Sequence, residues 1–191
     1  MVARGAVIQL HSLARRFIGD RQGVGAIEFA ILFPILVMLY VGAFEITVGL
    51  SISKRASRAA GMITDIVTQQ KSVTKVWLTD MPAVATAAFV PYGSTGLVVK
   101  ITGIAIDGTA TAKVAWSWAQ DGSRPYALNS ATTIPTEMKK ANTFLVRTEL
   151  SVPYKLFLFA PYLVPNDSTI TISRSYLYLP RASPTVTCGD C

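Results

Sequence analysis

The stretch Gly23-Val24-Gly25-Ala26-Ile27-Glu28-Phe29 joins a basic N-terminal segment to a long apolar run. Residues 1–23 carry four arginines and one aspartate, which gives a net charge of 4 − 1 = +3. One carboxylate then falls within the first turns of the apolar run, although a charge in a membrane helix costs roughly 2.5–3.5 kcal/mol on insertion scales. Glu28 therefore requires a functional explanation.

The apolar run extends over residues 24–52 and is long enough to cross a membrane. A bilayer core of about 30 Å needs about 20 helical residues, whereas a cleaved secretory signal has an apolar core of only about 7–15. No small-residue cleavage site follows the run, so we expect it to remain as a single-pass anchor. Basic flanks stay on the cytoplasmic side, which predicts a cytoplasmic N-terminus and an exported remainder.

The charge of the chain does not indicate a nucleic-acid partner. The net charge of +7 falls to 7 − 3 = +4 without residues 1–23, and the remaining basic residues are scattered. Lys54, Arg55 and Arg58 are the exception, and their place just after the apolar run predicts contact with lipid headgroups. Glu45, near the end of the same run, is expected to be solvated, with pairing to a partner helix as the alternative.

The order of segments predicts an α+β fold. Small and apolar residues at spacings of three and four extend the first helix to about residue 70, and Asp80 is a candidate N-cap for a short helix to about residue 90. Richness in valine and isoleucine predicts a strand at 97–106, and alternating apolar residues predict strands at 112–120 and 144–152. A fourth strand is expected at 169–179, and residues 121–142 are expected to form a surface loop. A long N-terminal helix would thus continue into a headpiece with a short helix and a four-stranded antiparallel sheet.

Residues 153–165 fit neither a strand nor a loop. Their three prolines argue against a regular strand or a long helix, yet the segment is too apolar for a free loop. Two interpretations remain open, a packed crossover or a partner-binding surface that uses Phe157, Phe159 and Tyr162.

Cys188 and Cys191 form a C-x-x-C pair at the end of the sequence. A zinc site needs four ligands and His11 is the only histidine, while a redox motif needs a helix N-terminus to lower the thiol pKa. An exported pair more often forms a disulfide, with free or intermolecular thiols as the alternative. No catalytic set, metal site or phosphate loop is recognised, so neither an enzyme nor a cofactor is predicted.

Two regions resemble one family. The N-terminal residues resemble the signature of TadE/TadG-type proteins, which are minor-pilin or pseudopilin components of the Tad (tight adherence) pilus machinery; the matching residues are Arg15-Arg16-Phe17, Asp20-Arg21-Gln22-Gly23, Ala26-Ile27-Glu28-Phe29-Ala30 and Pro34. Pro180-Arg181 and Cys188 are similar to the end of such chains. Val24 departs from the phenylalanine that is usual as the first mature residue of type IV pilins.

The resemblance implies cleavage between Gly23 and Val24 by a prepilin peptidase, and a role in pilus assembly and surface adhesion. It divides the chain into a cleaved leader (1–23), a transmembrane helix in the bacterial inner membrane (24–52) and a periplasmic pilin-like headpiece (53–191). The cost of an unpaired charge in hydrocarbon, argued without the resemblance, predicts that Glu28 pairs with the new ammonium of Val24 in a neighbouring subunit or is read by the peptidase. The alternative is that Glu28 snorkels or lies protonated near the headgroups. The implied partners are the membrane, the peptidase, other pilus subunits and a second TadE-like protein.

Two other functions remain open: an unprocessed membrane-anchored envelope scaffold, and an anchored exported enzyme with an unrecognised site. Processing at Gly23 would separate the first of these from the pilin hypothesis, and a convergent polar pocket in the headpiece would favour the second.

Overall fold

The computed structural model describes residues 23–156 and 169–191, and it confirms the α+β fold predicted from the sequence. The long helix α1 spans Val24–Thr68, and two shorter helices follow, α2 (Lys75–Leu78) and α3 (Met81–Phe89). The strands are β1 (Ser72–Val73), β2 (Val98–Ile106), β3 (Ala112–Ala119), β4 (Thr143–Lys155), β5 (Thr169–Tyr178) and β6 (Thr187–Cys188). The chain divides into two compact units, one that ends at Phe44 and one that spans Glu45–Cys191.

Within the second unit, α1 packs on the sheet through a stripe of small and branched residues. The stripe recurs every three or four positions and is fully or almost fully buried: Ile52, Ala56, Ala59, Ala60, Ile63 and Val67. The alanines keep the helix backbone close to the sheet, so that large side chains from the strands fill the interface. Thr64 is also buried, and its hydroxyl donates to the carbonyl of Ala60 at 2.7 Å, which satisfies its polar group.

The main sheet has four antiparallel strands in the order β3–β2–β4–β5. One face meets α1 and contributes Val99, Ile101, Trp118 and Leu150 to the main core. The opposite face carries a smaller apolar cluster around Ile104 and Leu145, to which Ile134 of the 120–142 connection adds its side chain. The sheet is therefore packed on both faces, although the predicted loop at 121–142 covers the second face with only a few apolar residues.

A bulge between Gly103 and Ile104 decides which side chains of β2 and β3 reach the main core. The register is Gly103 opposite Trp116 and then Ile104 opposite Val114, so one extra residue is inserted into β3. Trp116 and Trp118 face α1, whereas Ala112 joins the second cluster. Gly103 is required at the bulge because a Cβ there would lie 2.5 Å from Trp116 Cε2 and 2.7 Å from Phe144 Cζ.

Two local predictions are corrected in detail. Asp80 is the N-cap of α3, as predicted, but its side chain makes no capping hydrogen bond. Pro153 was taken to end the third predicted strand, whereas β4 continues through Pro153 to Lys155, paired with β5. The β2 strand begins at Val98, opposite Ser151, so at Pro153 β4 has β5 as its only strand partner. Proline is tolerated where a strand has a partner on one side only, and here its ring lies against Gly96, where a Cβ would be 2.8 Å from Pro153 Cγ.

The C-terminal segment is held by contacts far apart in the sequence. The amide of Arg181 donates to the carbonyl of Thr68 at 2.8 Å, and Trp116 Nε1 donates to the carbonyl of Val186 at 2.7 Å. The β6 strand then pairs in parallel with β1, with Thr187 opposite Ser72. The tail is thus an integral part of the second unit.

Candidate functional site

The first part of α1 exposes its apolar side chains in all directions. Between Val24 and Tyr40 the exposed fraction of the large apolar side chains runs from 42% to 75%. The helix contains a window of 18 residues with a mean hydropathy of 2.3, and none of that window is buried by protein. By length and composition α1 can therefore cross a membrane, where lipid would cover a surface that is unfavourable in water.

The predicted cleavage position lies where this helix begins. Val24 is the first residue of α1 and is half exposed, and among the described residues no heavy atom other than those of its chain neighbours lies within 4 Å of a Cβ built on Gly23. Glu28 is exposed on the first turns of the helix, and within the described residues it has no ion-pair partner. The geometry thus leaves both the Gly23–Val24 bond and the Glu28 carboxylate accessible; cleavage and pairing stay predictions.

The three basic residues after the anchor separate into different roles. The guanidinium of Arg55 donates to the carbonyls of Ala88 at 3.1 Å and Val90 at 2.6 Å, and lies 5.0 Å from the ring centroid of Tyr92. Arg55 thereby holds the C-terminal end of α3 against α1, and its contact with lipid headgroups stays a prediction. Lys54 and Arg58 are exposed and stay available for an external partner.

Glu45 was expected to be solvated, and that prediction is wrong. It is only 7% exposed, and it lies in the second unit close to Tyr154. Burial raises the pKa of Tyr154, and the negative charge of Glu45 raises it further. The helix turn that contains Glu45 therefore belongs to the packed headpiece.

The two cysteines are joined as a disulfide, with their Cα atoms 5.6 Å apart. Cys191 is buried in the main core, and Arg124 contacts its main-chain oxygen. The carboxylate of Asp190 accepts the amide of Lys75 at 3.1 Å, at the first residue of α2. Cys188, Asp190 and Cys191 are close enough to resemble a metal site, but sulfurs bonded to each other supply no thiolate ligand. The disulfide is thus structural, since it folds the tail over α2.

A polar network lies on the sheet face opposite α1. Arg147 is almost buried; its guanidinium lies 5.0 Å from the ring centroid of Tyr126 and donates to Thr132 Oγ1 at 3.1 Å. Tyr126 donates its hydroxyl hydrogen to Glu149 Oε2 at 2.8 Å, and Arg147 Nε lies 3.6 Å from the same oxygen. Burial, followed by the bond to Glu149, raises the pKa of Tyr126. The network fixes the 120–142 connection on the sheet.

A shallow polar depression of about 260 Å³ borders this network, lined by Lys100, Glu149, Ser151, Ser173 and Ser175. A nucleophilic serine would need a base within hydrogen-bond reach. Among the described residues, no hydrogen bond joins these serines to Lys100 or Glu149, and Glu149 is already bound to Tyr126. The depression therefore offers polar groups without an activated nucleophile.

Arg147 was not identified from the sequence as a site residue, and Arg55 was grouped with Lys54 and Arg58 as a lipid contact. The partners of both arginines lie on other elements, so no local spacing signals the contacts that they make. The candidate partner residues Phe157, Phe159 and Tyr162 lie outside the described residues, as does the leader before residue 23. The proposed contact surface at 156–164 thus stays a prediction.

Comparison with known families gives one match. Residues 23–62, which are 40 of the 191 residues, match the family model described as TadE-like protein. No curated protein and no solved structure shows a significant match to the chain. The matched range begins at Gly23 and lies almost wholly within α1, and it confirms the family resemblance that the sequence motifs indicated. The long helix of this chain is therefore a TadE-like segment.

Proposed function

We propose that this protein is a minor pilin or pseudopilin that acts in the assembly of a Tad-type type IV pilus and in surface adhesion. The observation that carries the proposal is the overlap of the family match over residues 23–62 with the part of α1, from Val24 to Tyr40, whose large apolar side chains are exposed. The helix would anchor the protein in the bacterial inner membrane, with the headpiece in the periplasm and the N-terminus in the cytoplasm.

Cleavage between Gly23 and Val24 is the first part of the proposal. A glycine before the scissile bond lets a peptidase approach the backbone closely, and Gly23 has open space around it. Mass spectrometry of the protein from native membranes should find Val24 as the first residue. The Gly23→Arg variant should accumulate as a full-length precursor, whereas Gly25→Ala, also in open space, should be processed normally.

A native protein that begins at Met1 would contradict the prepilin interpretation. It would favour the alternative of an unprocessed, membrane-anchored envelope scaffold, which needs the same helix but no peptidase. An enzyme is the less favoured alternative, since the polar depression lacks a serine bonded to a base.

Pairing of Glu28 is the second part of the proposal. Cleavage creates an ammonium at Val24, and each unpaired charge in hydrocarbon is costly. In an array of parallel helices the ammonium of one subunit can meet Glu28 of its neighbour, and this pairing selects one register over others. A carboxylate that lies near the headgroups of an isolated helix would be free to make this contact on assembly.

Substitution of Glu28 separates assembly from membrane insertion. Glu28→Ala makes the helix more apolar, so membrane levels should hold while co-purification with pilus subunits falls. Glu137→Ala removes an exposed carboxylate from the headpiece and serves as the matched control. Unchanged pilus number and unchanged partner binding in Glu28→Ala would refute the pairing.

A further inference from the structure

The two edges of the main sheet are protected differently. Residues 129–132 run along the outer edge of β3, where the amide of Val114 donates to Ser130 and the amide of Thr132 donates to Ala112, at 3.0 and 3.1 Å. The β5 strand forms the other edge, and within the described residues it pairs only with β4. Residues 129–132 therefore cover the edge of β3 at 112–114, whereas no segment of the described residues pairs with the outer edge of β5.

The exposed edge has few of the features that keep natural edge strands from pairing. Such strands are usually short, bulged, or interrupted by proline or by charges. The β5 strand pairs with β4 in unbroken register from Thr169 to Tyr178 and contains no proline. Its one charged side chain, Arg174, turns toward α1, where its Nε donates to Ser53 Oγ at 3.1 Å. A further strand could thus add to β5 without displacing a blocking group.

A groove of about 420 Å³ lies beside β5, between that strand and α1. Its lining includes Arg58, Gly61, Met62, Asp65, Tyr176 and Tyr178. The two tyrosine rings stand edge to face with centroids 6.2 Å apart, and the Tyr178 hydroxyl lies 3.6 Å from where a Cβ on Gly61 would be. Side chains of an added strand that point toward α1 would enter this groove.

The charge around the groove selects the kind of partner. Arg58 and Arg181 line the groove together with one acid, Asp65, which gives a local balance of 2 − 1 = +1. Asp65 is paired with Arg181 at 3.0 Å, whereas Arg58 has no hydrogen-bond or ion-pair partner among the described residues. A carboxylate delivered into the groove would be complementary to the guanidinium of Arg58.

We infer that the open edge of β5 binds an extended segment of a different protein, which adds as a fifth strand and places acidic side chains opposite Arg58. A second copy of this chain is a poor occupant, because its own β5 would bring Arg174 and the same basic neighbours. Among the described strands only β4 contains an acidic residue, Glu149, and β4 lies inside the sheet. Backbone hydrogen bonds would supply affinity and the alternate side chains specificity.

Synthetic peptides test this inference on the full chain in detergent micelles. The probe is a fluorescent peptide of alternating valine and glutamate, about nine residues long, which is within the range of β-strands. One matched peptide replaces glutamate with lysine, and another keeps glutamate but carries N-methyl groups on alternate amides. We expect the acidic peptide alone to bind and to slow hydrogen exchange at every second amide of β5.

A charge exchange tests the role of Arg58. Arg58→Glu should weaken binding of the acidic peptide by roughly three- to tenfold and favour the lysine peptide, whereas Lys139→Glu, which makes the same change in net charge, should have no effect. Equal binding of the lysine peptide to the wild-type chain would overturn the inference. Equal binding of the N-methylated peptide would overturn it too, since that result would mean that the surface binds any acidic chain by charge alone, without backbone hydrogen bonds to β5. Neither test depends on cleavage at Gly23, so failure here is distinct from failure of the pilin proposal.

Discussion

The close approach of Trp116 to Gly103 makes a sharp test of the core. An alanine Cβ at position 103 would lie 2.5 Å from Trp116 Cε2 and 2.7 Å from Phe144 Cζ, and contacts under 3.0 Å force a shift. Both rings belong to the buried core, and Trp116 is only 3% exposed. We therefore expect Gly103→Ala to displace the indole of Trp116 and to destabilise the second unit.

The expected change in the free energy of unfolding combines two opposing effects of a glycine-to-alanine substitution. Overpacking a well-filled core costs typically 1–3 kcal/mol, while replacing any glycine by alanine at a compatible position stabilises by about 0.4–1 kcal/mol through the unfolded chain. Gly93→Ala isolates the second effect, because no heavy atom lies within 4 Å of its Cβ. Gly103→Ala should thus be less stable than Gly93→Ala by about 1–3 kcal/mol, a difference of roughly 2–4 °C in Tm for each kcal/mol.

The test combines thermal unfolding with amide hydrogen exchange measured at individual strands. Thermal unfolding of the full chain in detergent, followed by tryptophan fluorescence, gives the difference in Tm between the two variants. Hydrogen exchange should also accelerate at β6, since a displaced Trp116 loses the bond from Nε1 to the carbonyl of Val186. Equal Tm values for Gly103→Ala and Gly93→Ala, with unchanged exchange at β6, would refute this account of the packing.

Three further predictions concern the headpiece. Arg55→Ala should destabilise it by about 1–3 kcal/mol, because two carbonyls lose a charged donor, while the exposed Arg58→Ala should change the unfolding free energy little. Cys188→Ser or reduction of the Cys188–Cys191 bond should lower stability by about 2 kcal/mol, the loop-closure value for a ring of four residues, measured with and without dithiothreitol. Hydrogen bonds from Thr109 and from the Thr111 amide lower the pKa of Asp107 from 3.8 to about 2. Its stabilising effect is present above pH 3.8 and is lost as the pH falls through about 2, so the difference in Tm between wild type and Asp107→Ala should vanish over that range.

Much of the fold was predictable because its signals are local. The spacing of the alanines in α1, the alternation in β3 and β4, and the valines and isoleucines of β2 predicted these elements to within a few residues. Such patterns report burial, and these elements contribute buried residues to the cores. Pro153 shows the limit of local patterns. Whether a strand tolerates a proline depends on which strand lies beside it, and strand order cannot be read from the local sequence.

Contacts between distant segments were not predictable. The β1 and β6 strands have two residues each, too few for any period, and they pair across more than a hundred positions. The role of Arg55 depends on where α3 ends, since its partners are carbonyls and every residue has a carbonyl. Spacing along the chain can indicate a charged residue, but the fold alone decides whether that charge meets lipid, a backbone group or a partner protein.

The proposals about the helix are supported by the family match, whereas the proposal about the β5 edge is supported by the structure alone. The family match covers residues 23–62 and ends well before β2 begins at Val98. The features that support anchoring, cleavage and subunit pairing lie inside that range, whereas the open edge of β5 lies outside it. If the proposals hold, variants at Gly23 and Glu28 should impair assembly whichever partner is present. Arg58 lies in the matched helix but faces the β5 groove, so exchange of its charge should change partner choice and leave processing intact.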